Sequence, residues 1–202
     1  MTLAASPQSS SLTSRVARLA WPILVGQLAV IGNGVIDTVM TARYSATDLA
    51  ALGLGASIYI SVFVGLSGVL QALSPTIAQL FGAKKYDAIG AEVRQGVWLA
   101  IFLSIVGASL LSFPHLLLSI AQAPPAMIDK VERYLQILSL ALPATLGFRV
   151  YASLNTALSR PRTVMLFQLA GLGLKIPLNA VFIFGGLGLP SYGSPGLSLI
   201  HI

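Results

Sequence analysis

Cysteine is absent from all 202 residues. That single absence removes disulfide frameworks, thiolate metal sites and cysteine nucleophiles. Charge is nearly as scarce, with twelve Lys and Arg and six Asp and Glu making up 9% of the chain. A water-facing globule carries about 25% charged residues because its surface needs them. Six acids and twelve bases cannot coat this chain, so most of its outer surface must meet lipid. Disordered, collagenous and coiled-coil classes fall for the same shortage, or for want of a repeat. No GxxxxGK[ST] loop occurs (GAKKYDAIG does not fit it), so these residues encode no ATP-binding module. HExxH, GxSxG and a Ser/His/Asp set are missing as well, and His115 and His201 stand alone in the sequence. The expectation is therefore a protein that is not an enzyme and holds no metal or organic cofactor.

What is present is apolar. Hydrophobic residues make up 55% of the chain and the mean hydropathy is +0.84. A membrane helix needs about 20 mostly apolar residues to cross about 30 Å of hydrocarbon. Five segments satisfy this, at about 18–42, 47–81, 95–120, 127–158 and 162–184. The fold class expected is all-α, a polytopic membrane helix bundle of about five spans. Residues 1–14 read as a polar, Ser-rich lead, and the apolar run after it exceeds the roughly 7–15 residues of a signal h-region. Prolines mark expected bends: Pro22 in the opening turn of the first span, Pro75 in the over-long second, Pro143 in the fourth and Pro177 in the fifth. Residues 87–94 read as a short interfacial stretch, and Gly82 as the helix cap before Lys84 and Lys85. Small residues such as Gly53 and Ser57, or Gly32 and Gly34, are expected to let helices approach closely. The chain stops at 197–202 after a Gly/Pro-rich stretch. An abrupt, aberrant end to a truncated protein is the expectation there.

The basic residues set an orientation. With the N-terminus inside, Arg15, Arg18, Lys84, Lys85, Arg94, Arg160 and Arg162 are cytoplasmic, against Arg43, Lys130 and Arg133 outside. This satisfies the positive-inside rule, so the N-terminus is expected in the cytoplasm. The net charge of +6 then needs no nucleic acid, and no basic stripe with interleaved aromatics exists. Membrane lipid is the expected surroundings.

A charge inside a span is expensive and marks function by default. Asp37 lies about five residues before the outer end of the first span, with Asn33 one turn earlier on the same face and Gln27 further in. It is either a functional acid or an interfacial one paired with Arg43. Lys175 sits mid-span in LAGLGLKIPLNAVFIFG, with Asn179 one turn on and Pro177 between them, which frees the backbone carbonyl of residue 173. Counted from the inner ends of their spans at 1.5 Å per residue, Lys175, Asn179 and Asp37 lie about 18, 24 and 27 Å deep. An ammonium at that depth is costly alone, so it should pair with Asp37 if the two helices pack together. Asp48 reads as a helix N-terminal acid beside a cap at Thr47, Arg149 as a snorkelling or bundle-paired cation, and Trp21, Trp98 and Tyr134 as interface anchors.

Four strings fall in order along the chain: WPILVGQLAVIGNGVIDTVMTARYSATDLAALGLG, PTIAQLFGAKKYDAIGAEVRQGVWLA, LNTALSRPRTVM and KIPLNAVFIFGGLGLPSYGSPG. Together they resemble the multidrug and toxic compound extrusion (MATE) family, NorM-like branch, over about residues 15–196. The resemblance implies an antiporter of about twelve helices in two six-helix lobes around a central cavity, in a bacterial inner membrane. This chain looks like most of the N-terminal lobe, with the C-terminal lobe missing. The resemblance places Asp37 at the family's first-helix acid and Asn179 at a nearby polar position, and it implies H⁺ or Na⁺ as coupling ion and small amphipathic organic cations as cargo. At Lys175 the family more often has Asn. The expected function is secondary active multidrug efflux. The alternatives are a lipid-linked sugar flippase of the same superfamily, which would favour several cations in the cavity, and a non-transporting membrane fragment.

Overall fold

The computed structural model describes residues 8–120 and 124–184. Those residues form seven helices and no strand: α1 (Gln8–Tyr44), α2 (Ala46–Leu70), α3 (Leu73–Gly82), α4 (Tyr86–Ser112), α5 (His115–Ile120), α6 (Pro125–Ala157) and α7 (Pro161–Phe184). The stretch from 187 and the end at 197–202 lie outside the described residues, as do residues 1–7 of the lead. Residues 8–14 of that lead belong to α1, which puts Pro22 well inside the helix and not in its opening turn.

Among the described residues, four segments are long and apolar enough to cross a membrane: Val16–Arg43, Ala46–Gly82, Tyr86–Ser112 and Met127–Ala157. The fifth long helix, α7, has 24 residues, about 36 Å at 1.5 Å each, which also reaches across the hydrocarbon. Large apolar side chains face outward along these helices, among them Leu28, Trp98, Phe102, Ile105 and Leu140, each more than half exposed. In water such a surface would aggregate, whereas lipid solvates it.

Local sequence explains where the helices break. The over-long second span is interrupted at Gln71 and Ala72, before Pro75 and not at it. A proline ring clashes with the carbonyl four residues back, and that carbonyl is Gln71's, where α2 stops. The third span begins earlier than sequence suggested: 87–94 is continuous with α4 and not a separate interfacial stretch. It also ends earlier, because Pro114 terminates the helix after Ser112. After α3 the chain turns through Lys84 at φ 59°, with Lys85 N–H donating to Leu80 O at 3.0 Å. This left-handed residue closes the helix, whereas Gly82 is simply its last helical position. Ser159, also at φ 59°, does the same between α6 and α7, and Arg160 N–H donates to Asn155 O at 2.8 Å.

Two apolar clusters fill the bundle. One joins α2, α4, α5 and α6 through Leu52, Leu111, Leu118, Leu135 and Leu138, and the other joins α2, α3, α4 and α6 through Leu70, Ile77, Leu103 and Leu146. Neither cluster includes a buried residue of α1 or α7, which pack chiefly on each other. Of the glycines the spacing suggested, Gly32 meets Leu172 of α7 at 3.7 Å from its built Cβ, and the tighter approaches are at other glycines. Nothing lies within 4 Å of a Cβ built on Gly34 or Gly53, and Ser57 donates back to Gly53 O within its own helix. The tight contacts are instead Gly26 against Gln168, Gly55 against Tyr134, Gly96 against Leu73 and Gly107 against Leu66.

Candidate functional site

The α1–α7 pair carries the polar centre. From α1 comes Asp37, and from α7 come Lys175 and Asn179, one turn apart on the same face. Lys175 Nζ donates to Asp37 Oδ2 at 2.7 Å, and Asn179 Nδ2 donates to Oδ1 at 2.9 Å. All three are buried, at 6%, 6% and 0% exposure for Asp37, Lys175 and Asn179. Each carboxylate oxygen thus has a donor, which is what a charge at this depth requires. Arg43, the other candidate partner of Asp37, is not the one used.

Asp37 and Lys175 line a cavity of about 880 Å³ whose wall is mostly apolar and aromatic, including Ile31, Leu52, Tyr59, Phe63 and Tyr134. Asn33 also lines it, and its Oδ1 is buried with no hydrogen-bond partner. Thr41 Oγ1 and Asn179 Oδ1 are likewise buried and unpartnered. Asn33, Asp37 and Thr41 recur every four residues and share a face of α1. The cavity therefore combines one carboxylate with its ammonium partner, the unpartnered oxygen of Asn33 and three aromatic rings. A volume of this size lies within the about 300–1,000 Å³ usual for small-molecule sites.

Other sequence candidates fall elsewhere. Gln27 does not join Asp37: ten residues along a helix is about 15 Å, and it lines a second, smaller cavity with Arg149 and Gln168. Lys175 and Arg149 hence do not share a cavity, and Lys175's charge is matched by Asp37. The several-cation cavity that a flippase would favour is not formed by them. Asp48 follows a cap at Ser45, not Thr47, and accepts an ion pair from Lys130 at 3.1 Å. His115 lies 3.2 Å from Glu132 and so is not isolated. Tyr134 is 4% exposed, in the core beneath Gly55 rather than at an interface, while Trp21 and Trp98 are exposed. The sequence reading missed the aromatic wall. Tyr59 and Phe63, four apart and stacked with centroids 5.9 Å apart, were its one available signal.

Long apolar helices around a cavity with a buried, hydrogen-bonded carboxylate define a multi-pass membrane helix bundle. Comparison with known proteins makes this specific. The MatE family model matches residues 22–181. The probable multidrug resistance protein NorM of Aromatoleum aromaticum is 40% identical over 197 residues, covering 98% of this chain and 42% of that protein. The protein of the same description from Neisseria meningitidis serogroup B is 37% identical over 190 residues, covering 90% and 40%. A solved outward-facing multidrug resistance MATE family transporter of the MOP superfamily superposes with a TM-score of 0.79 at 20% identity, over 93% of this chain and 41% of that one. The chain belongs to the MatE family. It spans about two fifths of the length of the curated relatives it matches.

Proposed function

We propose that this chain forms the N-terminal lobe of a secondary active exporter of amphipathic organic cations, with Asp37 as the carboxylate that couples export to an H⁺ or Na⁺ gradient. The observation that carries the reading is the buried Asp37, held by Lys175 and Asn179 on the wall of an aromatic cavity. Aromatic faces attract organic cations, and the apolar wall accepts their hydrophobic parts. A proton or Na⁺ arriving at Asp37 competes with the Lys175 ammonium for the same oxygens. The unpartnered oxygens of Asn33, Thr41 and Asn179 suit a hard cation, while the carboxylate alone suits a proton. In this reading the second lobe supplies the facing wall, because alternating access rocks one lobe against the other around a central site. In this reading the lobe sits in a bacterial inner membrane, and the excess of bases at the α3–α4 and α6–α7 turns supports a cytoplasmic side for that end and for the N-terminus.

The test is Asp37→Asn in a two-lobe transporter carrying this lobe, reconstituted with imposed pH or Na⁺ gradients. Gradient-driven export of a fluorescent organic cation should stop while membrane insertion persists. Export by the mutant at the parental rate would show that Asp37 has no coupling role. Whichever gradient drives the parent identifies the ion.

A further inference from the structure

The second cavity has a chemistry opposite to the first. It encloses about 190 Å³ between α1, α3, α6 and α7, lined by Arg149, Gln27, Gln71, Gln168, Ser74 and Thr156 among others. No Asp or Glu is among its lining residues. Arg149 Nε is buried without a hydrogen-bond partner, and the guanidinium makes no ion pair with any described residue. Arg149 stands eight residues before the end of α6, about 12 Å into the bundle at 1.5 Å per residue. A guanidinium at that depth without a counter-charge is costly, and Lys175 on the neighbouring helix shows how the same lobe resolves that cost with a carboxylate. Here the acid is missing and a cavity stands in its place.

The surroundings suit an anion. Glutamine amides and hydroxyls can donate hydrogen bonds to oxyanion atoms without contributing negative charge. A guanidinium presents parallel N–H groups that match the oxygens of a phosphate. The volume falls below the about 300–1,000 Å³ of drug-sized sites, so it suits a small group and not a bulky amphipathic cation. Thr156 and Pro161 line the cavity at the α6–α7 turn, where Arg160 and Arg162 are exposed and would draw anions toward it.

We propose that the Arg149 cavity is an oxyanion site, occupied by a phosphate group that is either free or the headgroup of a phospholipid. It is separate from the Asp37 cavity and does not depend on what that cavity exports.

The test uses the whole chain in dodecyl maltoside stripped of phospholipid, titrated at constant ionic strength with inorganic phosphate or with short-chain phosphatidylglycerol. Binding is read by calorimetry and by the shift in unfolding temperature. Saturable stabilisation by either probe is expected, with sulfate competing for the phosphate and tetramethylammonium without effect. Response to inorganic phosphate identifies a soluble oxyanion, whereas response to the lipid alone identifies the headgroup. Arg149→Gln should weaken the effective probe by about tenfold or more, since hydrogen bonds to charged groups carry about 1.5–3 kcal/mol. Arg149→Lys should retain part of the affinity. If Arg149→Gln does not fold, Gln71→Leu serves in its place with a several-fold loss expected. Absence of saturable binding to both probes, equal effects of tetramethylammonium, or unchanged affinity in Arg149→Gln would each overturn the proposal.

Discussion

Replacing Lys175 with Met tests whether the buried pair is a coupled unit. The side chain keeps its length and loses its charge. In the parent, Nζ lies 2.7 Å from Asp37 Oδ2 and both side chains are 8% exposed. Two unit charges at about 4 Å interact by about 4 kcal/mol at an effective dielectric of 20. Removing one partner of a buried pair costs about 3–5 kcal/mol, since the other charge is left uncompensated. Asn179 still donates to Oδ1, so the lower end, about 3 kcal/mol, is expected. At about 2–4 °C per kcal/mol for a chain of this size, that lowers the unfolding temperature by about 6–12 °C. Asp37→Asn leaves the ammonium facing an amide oxygen and should cost a similar amount. The double variant Asp37→Asn/Lys175→Met has no buried charge, and its Asn can still accept from Asn179. It should be more stable than the sum of the singles by about 2–3 kcal/mol. Unfolding in mixed micelles by SDS titration measures all four corners of this cycle. Additivity within about 0.5 kcal/mol would refute the reasoning, because independent sites add to that tolerance.

Three further outcomes follow from the packing and the cavity wall. Gly55→Ala places a Cβ 2.6 Å from the Tyr134 ring, so it should destabilise the lobe by about 1–3 kcal/mol by overpacking. Gly53→Ala, with nothing within 4 Å of its Cβ, should be near neutral in the same unfolding assay. In a two-lobe transporter, Tyr59→Ala should weaken binding of an aromatic cation by about 2- to 30-fold, the equivalent of about 0.5–2 kcal/mol of cation–π attraction, as read by fluorescence titration.

The charged residues were legible because apolar runs make them conspicuous. Asp37 and Lys175 are isolated ionisable groups in spans, and counting residues from the span ends put them about 9 Å apart in depth. A lysine stem covers most of that difference, so the pair could be expected before any helix was placed. Asn179 followed from sharing a face with Lys175. The aromatic wall was not legible, because Tyr59 and Phe63 sit in a run as apolar as any lipid-facing stretch, while Tyr134 follows the charged residues Asp129, Lys130, Glu132 and Arg133 and so reads as an interface anchor. Only packing reveals that Tyr134 is 4% exposed while Trp98 is 68% exposed. Gln27 was misplaced for a related reason: polarity within one helix says nothing of which cavity its residue lines. The helix break before Pro75 shows a rule applied at the wrong residue. A proline disturbs the carbonyl four residues earlier, so the break belongs at Gln71.

The distribution of apolar packing gives the lobe two mechanical parts. The buried residues of both clusters come from α2 to α6, with Met40 of α1 packed at the margin of one. By contrast α1 and α7 meet each other along an extensive seam whose deepest link is the Asp37–Lys175–Asn179 set. Burial of apolar surface stabilises by about 25 cal/mol per Å² and is indifferent to what binds nearby. A polar seam is not indifferent, since a cation at Asp37 changes the very contact that holds α1 to α7. Pro22 in α1 and Pro177 in α7 each remove a helical hydrogen bond, which lowers the cost of bending both helices. Local opening should therefore concentrate in this pair, because regions with few buried apolar contacts open at lower free energy than the core. Amide hydrogen exchange in one detergent is the measurement. Amides of α1 and α7 on either side of their prolines should exchange faster than those of α6 around Leu138 and Leu142, and Lys175→Met should speed α1 and α7 without speeding α6. Uniform exchange across the helices, or an equal increase in α6, would mean that the lobe moves as one body and that the polar seam does not govern it.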